Sequence, residues 1–541
     1  MDLSVYLVTD STPAILGNRD LCEVVRDAVQ GGVTVVQYRD KHSDTGVMIE
    51  TAKKLHEITK KYNVPLIIND RVDVALAVGA EGVHLGQDDM KIPEAKKLLP
   101  PNTYIGATVC SNKEALKAVL DGADYLGIGT VFATPTKTDT KSIIGTAGTK
   151  EILTFLSTMP RPRKIGTVAI GGINLSNVQR VIYQSQAPLK SLDGAAIVSA
   201  IMAAENPREA AASFSKLVKR TPASATIPIP PRENEVTLLL DEVPGIISAV
   251  ATKRPLCHNM INYVVANFAA NVAIAIGASP IMSGYGPEAV DLAKNGGSLL
   301  INMGTLNNES VDNYLQALRA YNDEGNPVVF DPVGAGATEI RRKAAKQLLA
   351  GGYFDLIKGN ESELIQLYGK VPGRQFGVDS GPSILNSQEK AKLAKDLARR
   401  ERNVVLLTGT VDYLSDGQRT LAIGNGHELL SCITGTGCII GTMAASFLAV
   451  HRCDKLLAVL SSLLLLEIAA ERAAVKDGVN GPGTFLPAFI DELFALRKWA
   501  VDRKVNNASP DADAKATNSD TATTMGENIF RKMAKVHLIQ M

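Results

Sequence analysis

Three side chains that could hold an anion stand close together in the stretch Q-Y-R-D-K. Gln37, Arg39 and Lys41 alternate along the chain after an apolar run, so a strand ending here would place all three on one side. An arginine chelates phosphate oxygens with two hydrogen bonds, a lysine adds a point charge, and an amide adds a donor. The pattern favours a diphosphate site, and a solvated strand end with ordinary charges is the alternative.

Carboxylates follow two later apolar runs, in I-I-N-D and in G-V-H-L-G-Q-D-D. Asp70, next to Asn69, and Asp89 would then lie at the ends of consecutive strands. Oxygen ligands of this kind suit a magnesium ion that also binds substrate phosphates. Capping of the following helices is the alternative for both aspartates. We expect His84, inside an apolar strand, to be a hydrogen-bonded core residue rather than a ligand.

Small and hydroxylated residues close the other runs of the first half. Thr108 ends one run, and the loop A-T-P-T-K-T-D-T-K-S-I-I-G adds threonines and Lys137. The last two runs end in A-I-G-G-I and A-I-V-S-A, whose small residues let backbone N–H groups approach an anion. These groups would extend an anion pocket, although the threonine-rich loop alone also fits an ordinary polar loop.

A scaffold must bring these strand ends together. Short apolar runs alternate with helical patterns, such as 46–62 and 112–120, over about 215 residues. Eight strands in this arrangement predict a (β/α)8 TIM barrel, whose active site lies at the carboxyl ends of its strands. A doubly wound open sheet is the alternative. The predicted strands are 5–9, 33–39, 65–70, 82–85, 104–109, 125–131, 167–171 and 195–199.

Composition divides the chain near residues 220–234. The stretch from Lys219 to Glu235 holds four prolines and no helical period, which is typical of a semi-rigid spacer. We therefore predict domains at 1–220 and 235–541, joined by a linker at 221–234. The polar stretch 506–528 predicts a flexible loop or tail insertion, after which the chain returns to structure.

The second half keeps an α/β pattern, with predicted strands at 273–277, 298–303, 327–330, 356–358 and 404–407. Polar residues again stand at or just after strand ends, where turn chemistry is the alternative. They are Asp331 in D-P-V-G-A-G-A, Lys358 and Glu363 in K-G-N-E-S-E, and Thr408 in V-V-L-L-T-G. No G-x-x-x-x-G-K-[ST] occurs, which excludes a P-loop. The apolar stretch 456–470 is too short to cross a bilayer and predicts a buried helix.

The most informative stretch of this half is T-G-T-G-C-I-I-G-T-M-A-A-S at 434–446. Glycines before a helix of small residues present N–H groups at a positive dipole end, which suits a transferring phosphoryl group. Cys438 falls in the first turn, where thiol pKa values are lowered. A small buried residue is the alternative role for this cysteine.

The motifs of residues 1–205, taken in order, resemble the thiamin phosphate synthase family, a family of (β/α)8 barrels. They are Q-Y-R-D-K, I-N-D-R-V-D-V-A-L, G-V-H-L-G-Q-D-D, D-G-A-D-Y-L-G-I-G, T-P-T-K and A-I-G-G-I. The resemblance implies that hydroxymethylpyrimidine diphosphate is joined to thiazole phosphate with release of pyrophosphate. It implies pyrimidine diphosphate ligands at Gln37, Arg39, Lys41, Asn69, Thr108 and Lys137, and magnesium ligands at Asp70 and Asp89, with Asp88 as the alternative to Asp89. It implies a thiazole phosphate pocket at Thr134, Thr136, Gly172, Val198 and Ser199.

The motifs of residues 250–500 resemble the ribokinase-like hydroxyethylthiazole kinases. They are P-L-C-H-N-M-I-N-Y-V-V-A-N-F, G-A-S-P-I-M-S, I-N-M-G-T-L, D-P-V-G-A-G-A, K-G-N-E-S-E-L, L-T-G and G-T-G-C. The resemblance implies ATP-dependent phosphorylation of hydroxyethylthiazole by a ribokinase-like α/β domain. Its implied ligands are Met282 and Gly435 for the thiazole, Lys358 and Thr408 for ATP, and Asp331 and Glu363 for magnesium. Cys438 would accept the hydroxyl proton.

The two resemblances together imply a bifunctional thiamine-biosynthetic enzyme of the fungal type, with Mg2+ as cofactor and ATP as co-substrate. Small phosphorylated substrates need only local positive charge, and the 541-residue chain has 57 Lys+Arg against 56 Asp+Glu. That balance gives no footprint for nucleic acid or an anionic membrane. Six cysteines without C-x-x-C pairs and no signal peptide predict a cytoplasmic protein. Because related kinase sites lie between subunits, we also expect a homo-oligomer.

Two other functions compete with this interpretation. A Schiff-base aldolase would need a lysine inside a barrel strand, and the predicted strands carry none. One half could instead be an inactive domain kept as a scaffold or thiamine sensor. The retained polar residues Asp70, Asp89, Lys137, Asp331 and Cys438 argue against that.

Overall fold

The chain folds into two compact units, Met1–Pro222 and Ala223–Met541. The computed structural model describes residues 1–134, 143–159, 165–222, 225, 228–307, 309–369, 383–508 and 527–540.

The first unit is a closed barrel of eight parallel strands in chain order. The barrel closes where Val5 of the first strand pairs with Ala195 of the last, so the open-sheet alternative is wrong. Parallel strands buried on both faces read as continuous apolar runs, which is why all eight were predicted to within three residues at each end. The strands are β1 Val5–Val8, β2 Val35–Tyr38, β3 Leu66–Asn69, β4 Gly82–Leu85, β5 Tyr104–Val109, β6 Tyr125–Ile128, β7 Gly166–Ile170 and β8 Gly194–Ile197.

Helices between the strands cover the outside of the barrel. Side-chain caps fix where several begin: Asp20 accepts a hydrogen bond from the Glu23 N–H, and Ser111 does the same for Glu114. The helices are α1 Pro13–Leu16, α2 Leu21–Gln30, α3 Thr45–Lys61, α4 Val72–Val78, α5 Ile92–Leu98, α6 Asn112–Asp121, α7 Gly145–Thr158, α8 Val178–Gln184, α9 Ser199–Met202 and α10 Pro207–Lys219.

The second unit is built on a nine-stranded sheet with the order β10-β9-β11-β12-β13-β14-β15-β16-β17. Its first six strands in this order are parallel, and the last three pair antiparallel. The strands are β9 Leu256–Met260, β10 Ser279–Met282, β11 Ser298–Asn302, β12 Val328–Asp331, β13 Leu356–Asn360, β14 Val404–Thr408, β15 Asp412–Ser415, β16 Thr420–Ile423 and β17 Val536–Leu538.

Helices pack on this sheet, and α19 is buried along most of its length, as predicted for the apolar stretch 456–470. In the described residues no helix combines the length and apolar character needed to cross a membrane. The helices are α11 Glu235–Lys253, α12 Ala266–Ile276, α13 Ala289–Lys294, α14 Ser310–Asp323, α15 Glu339–Gly351, α16 Glu361–Tyr368, α17 Ser387–Glu401, α18 Thr436–Val450, α19 Lys455–Ala474, α20 Pro482–Ala508 and α21 Ile529–Met533.

The predicted strand at 273–277 is wrong, because these residues form the last turn of α12 and its cap. Ala269, Val272, Ala273 and Ile276 are buried at helical spacing, and Gly277 ends the helix with φ +94°. The alternation A-I-A-I-G is locally compatible with a strand, but the longer row of buried residues at helical spacing favours a helix.

The chain returns to regular structure after the polar stretch 506–528, as predicted. Helix α21 is followed by β17, which pairs antiparallel with β16. Helix α20 reaches the first residues of the polar stretch, and 509–526 lie outside the described residues.

Candidate active sites

A cavity opens at the carboxyl ends of the barrel strands. Eight of the residues predicted to bind substrate line it: Gln37, Arg39, Asn69, Thr108, Thr134, Gly172, Val198 and Ser199. The barrel brings them together because the carboxyl ends of its eight parallel strands all lie at one end. Thr136 and Lys137 lie outside the described residues.

Two aspartates and a lysine stand beside this cavity. Lys41 forms an ion pair with Asp70, the residue after the cavity-lining Asn69. Burial raises the pKa of Asp89, and the neighbouring Asp70 carboxylate raises it further, so the two carboxylates lie close together. Neither is an N-cap, since Arg71 and Lys91 hold the N-cap positions of α4 and α5. The arrangement fits a cation shared with a substrate diphosphate.

Glycines bring backbone close to the cavity after β7. Gly171 and Gly172 have φ of +107° and +65°, and a Cβ on Gly172 would lie 2.8 Å from the Ala133 carbonyl oxygen. A larger residue would therefore clash with the chain segment after β6. This close approach explains the two glycines of A-I-G-G-I.

His84 is the hydrogen-bonded core residue that its apolar strand predicted. Its side chain is buried, and its Nε2 lies 2.8 Å from the Thr108 hydroxyl oxygen. It also lines the cavity, a position that the strand pattern alone did not indicate.

In the second unit, a buried ion pair joins two neighbouring strands. Lys358 Nζ of β13 lies 3.2 Å from each carboxylate oxygen of Asp331, the last residue of β12. Asn302, which ends β11, donates a 2.9 Å hydrogen bond to Asp331. Side chains from three adjacent strands thus fix the position of one carboxylate.

Glu363 connects this pair to the turns around it. Its two carboxylate oxygens accept 2.9 Å hydrogen bonds from the Gly334 and Asn360 N–H groups, the second completing a capping box for α16. Burial raises the pKa of Glu363 to about 7, and the charge of Asp331 adds to the shift. Glu363 therefore has the turn role that was the alternative for it, and it also places a second carboxylate next to Asp331.

Cys438 lies in the first turn of α18, after Gly435 at φ +95°. Its Sγ is 3.6 Å from the Asn262 side-chain nitrogen. Burial raises the pKa of the thiol to about 11, the charge of Asp331 adds to this, and Lys358 only partly opposes it. The expected lowering of this thiol pKa is wrong, because desolvation and the charge of Asp331 outweigh the groups that lower the pKa.

The remaining predicted residues of this half take separate positions. Met282 ends β10 and lines a second cavity, together with Tyr263 and Tyr285. Gly435 packs against Val265, and a Cβ there would meet Val265 Cγ2 at 2.5 Å. Thr408 ends β14 opposite Asn360 of β13.

The sequence prediction missed Asn262 and Asn302, which hold the ion pair and the thiol. Asn262 donates a 3.1 Å hydrogen bond to Asn302. Asn302 follows the apolar residues of β11, so the rule that found Asp331 would have found it too.

Each candidate metal position offers two neighbouring carboxylates. Asp70 lies beside Asp89, and Asp331 lies beside Glu363. Within the described parts of the chain, no three His, Cys, Asp or Glu side chains are grouped to hold a metal. Two carboxylates suit a magnesium ion that completes its shell with phosphate and water.

Comparisons with known proteins match both units. Residues 5–201 match the thiamine monophosphate synthase family, and residues 247–498 match the hydroxyethylthiazole kinase family. A "Probable thiamine biosynthetic bifunctional enzyme" of Schizosaccharomyces pombe is 42% identical over 504 residues, covering 92% of this chain and 95% of that protein. The "Thiamine biosynthetic bifunctional enzyme" of Saccharomyces cerevisiae is 36% identical over 539 residues, covering 93% and 98%. The hydroxyethylthiazole kinase of Pyrococcus furiosus is 39% identical over 257 residues, covering 48% and 94%.

The first unit is a barrel with a cavity at the carboxyl ends of its strands. The second is a sheet on which helix α18 begins after a glycine, beside a buried ion pair. Together they define a two-unit α/β transferase. The chain belongs to the bifunctional thiamine biosynthetic enzymes, with a thiamine-phosphate synthase domain and a hydroxyethylthiazole kinase domain. The predicted family and fold class are thereby confirmed.

Proposed function

We propose that residues 1–220 join hydroxymethylpyrimidine diphosphate to thiazole phosphate, giving thiamine phosphate and pyrophosphate. Residues 235–541 make the thiazole phosphate from 4-methyl-5-(2-hydroxyethyl)thiazole and ATP, and 221–234 link the two domains. The observation that carries the synthase proposal is the single cavity that collects eight predicted ligands. The family match over nearly the whole chain supports the pairing of the two reactions.

In the synthase reaction, the groups to stabilise are the departing diphosphate and the pyrimidine methylene cation. Arg39 lines the cavity and Lys41 stands beside it, so both side chains are placed to bind diphosphate oxygens. A magnesium ion held by Asp70 and Asp89 would neutralise the same oxygens. The thiazole nitrogen attacks as a free base, and no protein group has to remove a proton from it.

In the synthase cavity, the thiazole phosphate binds on a different side from the pyrimidine diphosphate. We assign its phosphate to the segment around Gly172, Val198 and Ser199, with Thr134 and Thr136 from the part of the sequence between β6 and α7. The close backbone approach at Gly172 supports this, because exposed N–H groups of small residues bind phosphate oxygens well. Lys137, in the same part of the sequence, is assigned to the pyrimidine diphosphate.

In the kinase reaction, the thiazole hydroxyl attacks the γ-phosphorus of ATP. We assign Lys358 and Thr408 to ATP, Asp331 and Glu363 to magnesium, and Met282 and Gly435 to the thiazole. The N-terminal turn of α18 supports charge stabilisation of the transferring phosphoryl group, since a Cβ on Gly437 would lie 3.8 Å from Lys358 Nζ.

We assign Cys438 to the position next to the hydroxyl of hydroxyethylthiazole that attacks ATP. Its thiol is protonated at neutral pH because its pKa is about 11. Most of the rate enhancement is therefore assigned to the helix N-terminus and Lys358 rather than to proton removal, as expected for a loose phosphoryl-transfer transition state.

The two activities can be tested in one full-length preparation with reciprocal variants. Hydroxyethylthiazole, ATP, magnesium and the pyrimidine diphosphate should together yield thiamine phosphate, measured by chromatography. Arg39→Met should stop the formation of thiamine phosphate, while ATP consumption continues. Asp331→Asn should stop ATP consumption, and added thiazole phosphate should restore the product. Failure of wild-type protein in either half-reaction would remove that assignment.

We further propose a homo-oligomer that binds only small molecules. Tyr263 and Tyr285, at 79% and 63% exposure, line the cavity that contains Met282, which supports a subunit contact there. Light scattering after size-exclusion chromatography measures the mass directly, and a monomer at micromolar concentration would contradict the proposal.

A further inference from the structure

Two acidic side chains meet inside the second unit. Asp412 begins β15 and Glu467 lies in α19, and each residue is 5% exposed. Their side chains are hydrogen bonded to each other. A hydrogen bond between two carboxyl groups needs a proton on one of them, because an ionised carboxylate only accepts. One member of the pair is therefore a neutral acid.

Asp412 is the better place for the negative charge. Its Oδ1 accepts a 2.7 Å hydrogen bond from the Gly409 N–H. Burial raises the pKa of Asp412, but the hydrogen bonds to Glu467 and Gly409 and the charge of Lys358 all act against that rise. The groups around Asp412 therefore favour its charged form.

Glu467 has the opposite surroundings. Its Oε2 is buried and receives no hydrogen bond from any N–H or O–H group in the part of the chain that the structure describes. Burial raises the pKa of Glu467 well above its ordinary value, and the charges of Asp412 and Glu471 raise it further, while Lys535 opposes this in part. A charged Glu467 would be a buried charge without a donor, whereas the neutral acid supplies its own hydrogen. Glu467 is therefore the protonated member of the pair at neutral pH.

The charged member of the pair holds a turn beside the proposed ATP site. Gly409 follows Thr408, the last residue of β14, and lies in the turn that leads to Asp412 of β15. Because Asp412 is buried, a carboxylate oxygen that does not bind the Gly409 N–H needs another donor from inside the protein. The acid of Glu467 is that donor.

We propose that Glu467 is a positioning residue for the kinase reaction, acting as a neutral hydrogen-bond donor to Asp412. Through Asp412 and the Gly409 N–H, it keeps Thr408 in the place where ATP binds. The inference rests on the proposed kinase function and adds to it a residue from a helix that otherwise forms the core. Because the acid supplies the hydrogen, the turn needs no second buried cation in addition to Lys358.

The kinetic test compares Glu467→Gln with Glu467→Met in the full-length protein. Glutamine keeps the length of the side chain and offers an amide N–H to Asp412, whereas methionine has a similar size and no donor. Glu467→Gln should change the KM for ATP by less than about threefold, and Glu467→Met should raise it by about tenfold, with kcat within about threefold in both. Fluorescence of Trp499, which lies in α20 of the same unit, checks that both variants are folded.

A purely structural role predicts the reverse order of the two variants. If the side chain only filled space, methionine would suit the interior of this apolar helix better than glutamine does. Equal KM values for ATP in Glu467→Gln and Glu467→Met would overturn the inference.

A second measurement needs neither ATP nor a folded Glu467→Met. Infrared spectra at pH 7.5 report neutral carboxyl groups through a C=O stretch that ionised carboxylates lack. The spectrum of wild type minus that of Glu467→Gln should contain this band. The matched control is Glu471→Gln, one helical turn further along α19, because Glu471 Oε1 lies 2.9 Å from Lys535 Nζ and its subtraction should leave no such band.

The infrared result separates this inference from the proposed function. Absence of the band from the difference between wild type and Glu467→Gln would overturn the inference, whatever the kinetics show. If wild type showed the band but consumed no ATP with hydroxyethylthiazole, the proposed kinase function would fail while the neutral Glu467 stood.

Discussion

The ammonium of Lys358 lies 3.2 Å from both carboxylate oxygens of Asp331, and both side chains are almost completely buried. Burial opposes the charge on Lys358, but the carboxylate outweighs that effect and raises the pKa of the ammonium. Because each charge compensates the other, removing one leaves an uncompensated buried charge. This relationship makes the pair a sensitive point of the kinase domain.

We expect Asp331→Asn to lower kinase kcat/KM by about 100-fold or more, because it removes the proposed magnesium ligand and the partner of Lys358. Lys358→Met should have a loss of similar size, and the double variant should lose much less than the sum of both. ATP consumption with hydroxyethylthiazole measures the effect. Synthase turnover in the same preparation is the control and should stay within about twofold. Additive losses would contradict the coupling.

Cys438 should resist alkylation at pH 7.5. A thiol with a pKa of about 11 is roughly 0.1% thiolate or less at that pH, and the thiolate is the reactive form. Peptide mass spectrometry after a time course with iodoacetamide should find Cys432 and Cys453, both exposed, modified first. Raising the pH to 10 should speed the reaction of Cys438 at least tenfold. Labelling of Cys438 as fast as Cys432 at pH 7.5 would be inconsistent with the raised pKa.

Asp89→Asn should cut synthase activity by about 100-fold and raise the magnesium concentration needed for half-maximal rate. The reason is that burial and the neighbouring Asp70 carboxylate raise the pKa of Asp89, and a bound cation would favour its charged form. Pyrophosphate release against magnesium concentration measures both effects. Asp88→Asn is the matched control and should change the rate by less than about threefold. A larger loss from Asp88→Asn would move the metal to that residue.

Arg419→Met should destabilise the second unit by about 3–5 kcal/mol. Arg419 is 1% exposed and forms ion pairs with Glu235 at 3.0 Å and with Asp416 and Asp454 at 2.7 Å. Urea unfolding followed by tryptophan fluorescence reports this unit, because the chain has one tryptophan, in α20. Lys343→Met, which breaks only an exposed pair, should cost less than about 0.5 kcal/mol.

The same substitution has a pH signature. Burial alone would raise the pKa of Asp454, but the hydrogen bond and charge of Arg419 reverse this and lower it. A carboxyl with a lowered folded pKa stabilises the protein above its unfolded pKa, near 3.9, and loses that stabilisation as pH falls. The difference in the free energy of unfolding between wild type and Arg419→Met should therefore narrow below about pH 4. If this difference stayed constant from pH 7 to pH 3, the charge of Asp454 would contribute nothing to stability.

The sequence predicted the barrel well because parallel strands buried on both faces leave an unbroken apolar signal, as in Tyr125–Ile128. It did not predict β9, where His258 and Asn259 are buried polar residues inside the strand. The strand β17 was missed for another reason: its three residues are too few for a period of two to be recognised.

The candidate sites were predictable to the extent that their residues stand at strand ends. Gln37 and Asp331 were found in this way. The contact between Tyr6 and Tyr125 was not found, because a tyrosine within an apolar strand is typical of a core residue. Only the fold shows that their two hydroxyls form a hydrogen bond. The raised pKa of Cys438 was also unpredictable, since desolvation depends on packing from distant segments.

The place of β17 in the sheet sets an order of events during synthesis. Leu538 pairs with Leu421, more than a hundred positions earlier, whereas the barrel is closed by β8 at Gly194–Ile197. On the ribosome the synthase barrel has all of its strands long before the kinase sheet receives its last one. A chain interrupted between residues 424 and 535 would carry a complete barrel beside an unpaired β16 edge, the kind of edge that recruits other strands and aggregates.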